Sequence, residues 1–170
     1  LGALQRVRVE CVDDAAEGAR LTEGLTKMLD ERANRRCADC GARLDVPSDA
    51  WASVSRGALV CVDCAAAHRS LGPSVSRIKS LVYDSWDAPM AEAMLARGNA
   101  AVNADYLARR PSAPLRRDAT VDERRRHARE KYVRLRWATA ELRAQKPRQE
   151  PKAKPKKRRD VGMASLSRDD

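Results

Sequence analysis

Residues 37–69 read CADCGARLDVPSDAWASVSRGALVCVDCAAAHR, and the two CxxC pairs that bracket this stretch decide the fold. Two residues separate Cys37 from Cys40, two separate Cys61 from Cys64, and twenty lie between the pairs. Two such turns brought together offer four thiolates to a tetrahedral zinc ion, a closed structural site with no open position for catalysis. Two disulfides are the competing reading. The absence of a basic-then-apolar leader, the odd fifth cysteine Cys11 and the doubled CxxC favour reduced thiols and one bound zinc. Binding such an ion contributes about 10–16 kcal/mol to folding in small modules. This chain needs the help: its 170 residues allow one modest core, with no Phe and 4% aromatic content. His68 is a conceivable further ligand, but four thiolates already saturate the ion, so it is read as a hydrogen-bonding residue.

Outward from the knuckles the pattern is α+β. Before them, Leu21, Leu25, Met28 and Leu29 repeat at helical spacing, and that helix ends at Asn34-Arg35-Arg36. Between them, 51–54 and 58–61 flank a turn at Arg56-Gly57 and predict a hairpin delivering the second knuckle. After them, 65–71 reads as a helix stopped by Gly72-Pro73, and 77–83 as a strand. The segment 84–89 reads as a turn with a helix cap and an early Pro. A helix containing Met90, Met94 and Leu95 closes at Gly98, and another ends before Pro111. The alternation from Arg6 to Cys11 suggests a short half-buried strand, with Cys11 packing inward.

Thr120-Val-Asp-Glu123 is a capping box opening a long basic helix through Arg143, with Lys131 among its arginines. A terminal helix that docks one face while its arginines stay solvated is preferred over an independent membrane-surface helix. The net charge of +10 is uneven: residues 1–108 hold 13 basic and 15 acidic side chains, residues 109–170 hold 21 and 9. A slightly acidic, Cys-bearing body thus carries a basic C-terminal third suited to phosphates in lipid headgroups, nucleic acid or an acidic protein. The run KPRQEPKAKPKKRR at 146–159 has three prolines and no large apolar residue, which predicts disorder. It is read as a solubilising tail, an anionic-membrane contact or a nuclear-import-like run. No run approaches the ~18 apolar residues of a membrane-spanning helix.

Other motifs follow in order: WASVSRGALVC at 51–61, CVDCAAAHRSLG at 61–72, SRIKSL at 76–81, DSWD at 84–87, GNA at 98–100 and Glu130-Lys131-Tyr132. With CADCG at 37–41, they resemble the zinc-finger domain of Arf GTPase-activating proteins over about Leu21–Trp137. The family signature C-x2-C-x16-C-x2-C-x4-R closes as Cys64 to Arg69 closes here. The resemblance divides the chain into an N-terminal extension (1–20), the zinc-finger domain (21–140) and a basic disordered tail (141–170). It implies a small sheet around one zinc, held by Cys37, Cys40, Cys61 and Cys64, with surrounding helices. It also implies stimulation of GTP hydrolysis on the GTP form of an Arf-family small GTPase in membrane traffic. The protein would be a regulator of its partner's hydrolysis, cytoplasmic and peripherally recruited to anionic membranes through the basic tail.

By this resemblance Arg69 is the candidate catalytic arginine. A permanently charged guanidinium stabilises charge spreading over the γ-phosphate oxygens without proton transfer. Trp51, Arg77, Ile78, Lys79, Asp84 and Trp86 match positions at or behind the GTPase-facing surface. For Trp51 and Trp86 a core role competes; Asp84 either orients an arginine or caps a turn. Three departures bear on the transfer: the central interval is twenty rather than sixteen, with the excess placed in a loop around 43–46; Ala65-Ala66-Ala67 replaces a Gly and a larger apolar residue; and Pro73-Ser74 follows Leu71-Gly72. Two alternatives remain: a catalytically inactive Arf-binding adaptor, and a four-cysteine nucleic-acid-binding finger, against which the acidic surroundings of the knuckles argue.

Overall fold

The structure, a computed structural model, describes residues 7–10 and 14–145. Helix α1 (Ala15–Asp30) starts where the Asp14 carboxylate accepts from the Ala16 and Glu17 amides, and it buries Leu21, Leu25, Met28 and Leu29. The chain then forms the first knuckle, where Arg36 and Arg43 make an antiparallel bridge. Cys37 N–H donates to Ala42 O at 2.8 Å. The residues around 43–46 are therefore more than a surface loop: Leu44 is 2% exposed and plugs the core.

Strands β1 (Trp51–Ser53), β2 (Ala58–Val60) and β3 (Ile78–Ser80) form an antiparallel sheet in the order β2-β1-β3. Trp51 lies opposite Val60 and Ser80, and Ser53 opposite Ala58 and Ile78. Side chains alternate along a strand, so Trp51, Ser53 and Ile78 share one face while Ala52 and Lys79 share the other. Gly57 turns the hairpin at φ 68°, and a Cβ there would stand 2.8 Å from Arg97 Cβ. Helix α2 (Val62–Arg69) follows directly from the second knuckle and packs on β1. Its Ala65 and Ala67 are fully buried, so the alanine triplet suits a helix laid closely between the sheet and the C-terminal helix.

Helix α3 (Ala88–Leu95), capped by Asp87 with Pro89 in its first turn, packs on α1. Helix α4 (Gly98–Tyr106) packs on β2. Gly98, at φ 78°, is the pivot from which α4 starts rather than only the stop of α3. Helix α5 (Val121–Ala128) has the expected capping box between Thr120 and Glu123, continues as one π-helical turn over Arg129–Val133, and packs on α2.

Four expectations need correction. The strand over 77–83 is confined to Ile78–Ser80, because Ser80 Oγ accepts from the Val82 and Tyr83 amides and folds the chain into a turn. The basic helix does not run to Arg143: Leu135 adopts φ 55° with its side chain buried, and a separate α6 (Ala140–Ala144) follows, in residues assigned to the tail. The arginine face is not uniformly solvated, since Arg124 and Lys131 are buried. The N-terminal strand reduces to one parallel bridge, Val9 to Trp86, with Glu10 N–H donating to Trp86 O at 2.8 Å. Arg6, Cys11 and residues 146–170, on which the packing and disorder readings fall, lie outside the described residues.

Candidate functional site

Cys37 and Cys40 sit on the first knuckle, Cys61 caps α2, and Cys64 lies in its first turn; their four sulfurs lie within 4.8 Å of one another. Cys40 Sγ and Cys61 Sγ are 3.8 Å apart. Zn–S bonds of about 2.3 Å in a tetrahedron place sulfurs about 3.8 Å apart, so the donor set fits a closed zinc site. A second observation supports that fit. Arg124, 5% exposed, donates from Nη1 to Cys64 Sγ at 3.1 Å, while Nε reaches Ala119 O at 3.1 Å and Nη2 reaches Arg117 O at 2.5 Å. A permanent cation beside the sulfurs suits four thiolates around a divalent ion, whose net charge is negative.

Between the ligands of the first knuckle, Asp39 is the hub of a buried polar network. Its Oδ1 accepts from Lys131 Nζ at 2.9 Å and Tyr132 Oη at 2.8 Å, and its Oδ2 pairs with His68 Nε2 at 2.8 Å. The Asp39 side chain is 2% exposed, those of His68 and Lys131 0%. Burial opposes ionisation of Asp39, but Lys131 and His68 outweigh it and hold the carboxyl well below the usual carboxylate range. Burial, and next the Asp39 charge, push the Tyr132 phenol well above its ordinary value, so it stays a neutral donor. Lys131 completes its set on Ala38 O at 2.9 Å and Asn103 Oδ1 at 2.8 Å. From His68 the network runs on through Nδ1 to Ser76 Oγ at 2.7 Å and then Ser53 Oγ at 2.6 Å.

Helix α2 is thus fixed at both ends, by Cys61 and Cys64 at one and by His68 at the other. Arg69 is the next residue, exposed at the C-terminal end of the helix, and its guanidinium carbon lies 4.5 Å from the centroid of the half-buried Trp51 ring. His68 is not part of the four-cysteine cluster, and its ring nitrogens are taken by Asp39 and Ser76.

The other site residues divide. Ile78 shares the face of Trp51, whereas Lys79 lies on the opposite face and Arg77 is exposed just before β3. Asp84 caps a turn, its Oδ2 accepting from Ser80 N–H at 2.6 Å. Trp86 is 1% exposed and donates from Nε1 to Ser80 O at 2.8 Å, which makes it a core residue behind the surface and removes it as a direct partner contact.

Sequence reasoning gave no role to Asp39, Arg124, Lys131 or Asn99. Asn99 Oδ1 accepts from Leu59 N–H at 2.6 Å, while its Nδ2 donates to Leu59 O at 3.0 Å and Arg36 O at 2.6 Å, tying α4 to β2 and the first knuckle. Asn34 Oδ1 in turn accepts from Asn99 N–H at 2.8 Å. The GNA motif was the available signal.

These features define a four-cysteine α+β zinc-finger module that presents an arginine beside its second knuckle. Residues 22–141 match the family "ArfGap: Putative GTPase activating protein for Arf". The chain belongs to this family of Arf GTPase-activating proteins. It is 37% identical over 136 residues to the Caenorhabditis elegans Arf-GAP with ANK repeat and PH domain-containing protein cnt-1, covering 76% of this chain and 16% of that protein. It is 37% identical over 111 residues to the Arabidopsis thaliana ADP-ribosylation factor GTPase-activating protein AGD12, covering 64% and 32%. The chain thus spans under a third of the length of either relative. The solved ArfGap domain of HIV-1 Rev binding protein shares the fold, with a TM-score of 0.63 and 23% identity over 74% of this chain and 92% of that one. No described helix is long and apolar enough to cross a membrane.

Proposed function

We propose that this protein stimulates GTP hydrolysis by an Arf-family small GTPase in its GTP form, with Arg69 as the catalytic arginine supplied in trans. The observation that carries the reading is Arg69 itself, exposed on a helix pinned at both ends and adjoining Trp51. In the reaction, water attacks the γ-phosphorus, the bond to the β–γ bridging oxygen breaks, and GDP and phosphate leave. Negative charge spreads over the γ-phosphoryl oxygens in the transition state, and the guanidinium offers two parallel N–H donors to it. One zinc ion held by Cys37, Cys40, Cys61 and Cys64 is structural. Trp51, Ile78 and Arg77 form the adjoining candidate contact surface. The basic tail attracts the protein to anionic membranes, in keeping with a cytoplasmic protein recruited peripherally in membrane traffic.

The test is single-turnover GTP hydrolysis by several Arf-family GTPases on anionic vesicles, comparing the zinc-loaded parent with Arg69→Lys. The parent is expected to accelerate hydrolysis by roughly 10³–10⁵ and the variant to lose most of that. Arg69 is exposed, so its circular dichroism should match the parent's. If the parent binds the GTP form but does not accelerate it, the protein is an adaptor.

A further inference from the structure

The C-terminal helix carries Asp122 and Glu123 in its first turn; its π-helical turn carries the exposed Arg129 beside Glu130, and Arg134 and Arg136 follow it. There the chain folds back on the α4–α5 connection. Arg109 N–H donates to Trp137 O at 2.9 Å, Arg109 Nη2 donates to Arg136 O at 2.8 Å, and Thr139 N–H donates to Asp105 O at 2.9 Å. These bonds gather Arg109, Arg110, Arg134, Arg136 and Arg143 with Arg129 at one end of the fold, all exposed. The acids there among the described residues are Asp105, paired with Arg97 at 2.6 Å, Glu141, and Glu130, whose side chain is 11% exposed and is taken by Arg134 and Arg136. Among the described residues Arg110 and Arg129 have no acidic partner within salt-bridge reach. The basic run 146–159 begins one residue after this end.

Helices α2 and α5 run parallel. Arg124 meets Asp63 and Cys64 at their N-terminal ends, and the His68 and Tyr132 rings lie 4.7 Å apart near their C-terminal ends. Arg69 therefore lies toward the same end as the arginines.

We propose that this arginine face is a docking surface for an anionic lipid bilayer, in addition to the tail. Arginines carried on folded elements impose an orientation, and they turn the end bearing Arg69 toward the membrane. Lipid phosphates fit better than nucleic acid. Trp137, the aromatic at this face among the described residues, is half-buried and stacked on the His127 ring at 5.3 Å rather than free for bases, and the strongly exposed Tyr83 follows β3, at the sheet edge opposite the one against which α4 packs. Each basic residue near an anionic surface contributes about fivefold in affinity, so removing three should weaken binding about a hundredfold.

The experiment is sedimentation of the zinc-loaded full chain with phosphatidylcholine vesicles, with and without phosphatidylserine. The parent is compared with a face variant, Arg110→Gln/Arg129→Gln/Arg143→Gln, a tail variant, Lys154→Gln/Lys156→Gln/Lys157→Gln, and the two sets of substitutions combined. Matching circular dichroism and zinc content establish that the face variant is folded. The expected result is phosphatidylserine-dependent binding that the face variant loses by about two orders of magnitude, in the parent tail and in the substituted tail alike. Unchanged binding by the face variant overturns the proposal, as does tighter binding of duplex nucleic acid at the same salt that depends on the same arginines. The assay contains no GTPase, so its outcome is independent of whether Arg69 is catalytic.

Discussion

Replacing Asp39 with Asn removes the carboxylate that faces Lys131 in the core. The Lys131 side chain is fully buried, and Asp39 is its salt-bridge partner at 2.9 Å. Its other acceptors, Ala38 O and Asn103 Oδ1, are neutral dipoles that remain in the variant. Removing one member of a buried ion pair costs about 3–5 kcal/mol, because the other charge stays desolvated. Against a total stability of about 5–15 kcal/mol that is a third or more. With a urea m-value of about 2 kcal/mol/M, the unfolding midpoint should fall by about 2 M. The assay is urea denaturation followed by circular dichroism with zinc in excess, so that metal occupancy does not vary. The double variant Asp39→Asn/Lys131→Met removes the stranded charge and is expected to recover at least half of the loss. A single variant costing under about 1 kcal/mol, or a double variant no more stable than the single, would refute a paired ammonium at this position.

Arg124→Met should weaken zinc retention about 10- to 100-fold, measured as release to a chromogenic chelator, because Cys64 loses its charged N–H donor; Arg124→Lys keeps the charge but not the fork and should fall between. Asn99→Ala strands the buried Leu59 N–H and should cost roughly 2–4 kcal/mol in the same urea assay. Gly57→Ala combines φ 68° with a 2.8 Å approach to Arg97 Cβ and should cost about 1–3 kcal/mol, read as a lower melting temperature. Chelation of the metal is expected to abolish the circular dichroism of the folded body, as thiolates without their ion no longer hold the knuckles together.

What could be read from the sequence was local or periodic. The CxxC spacing, the Gly57 hairpin, the Asp87 and Thr120 caps and the α1 stripe each depend on residues within a few positions of one another, and each is found. What was hidden depends on distant partners. Lys131 and Arg124 look like Arg125, Arg126 and Arg129 in any helical pattern; only Asp39, 92 residues away, and Cys64, 60 residues away, make them core residues. Asp39 resembles filler inside a CxxC turn for the same reason. The end of the basic helix was obscured differently: Leu135 satisfies the apolar stripe, and nothing in its type announces a left-handed φ. Trp51 and Trp86 were indistinguishable by type; tertiary packing separates a half-buried ring beside Arg69 from a ring buried in the core and bonded to Ser80 O.

The arrangement around Arg69 separates rigidity from reach. Four thiolates would saturate a tetrahedral ion, so a metal held by Cys37, Cys40, Cys61 and Cys64 would leave no open position for a phosphate and would tie residues 61–64 to the first knuckle. Helix α2 then carries the chain about 1.5 Å per residue, which puts Arg69 about 7.5 Å beyond Cys64 along the axis. His68, closed by Asp39 and Ser76, prevents that end from fraying, although a helix of 8 residues is marginal alone. The backbone of Arg69 is thereby set, while among the described residues its side chain is held only by the Trp51 ring. An exposed cation–π contact of this kind is worth about 0.5–1 kcal/mol. A hydrogen bond to a charged group is worth about 1.5–3 kcal/mol, and a guanidinium can make two to one phosphoryl group. The stack is thus strong enough to narrow the rotamers of the free protein and weak enough to yield to an incoming phosphate, which is what the catalytic role proposed for Arg69 requires.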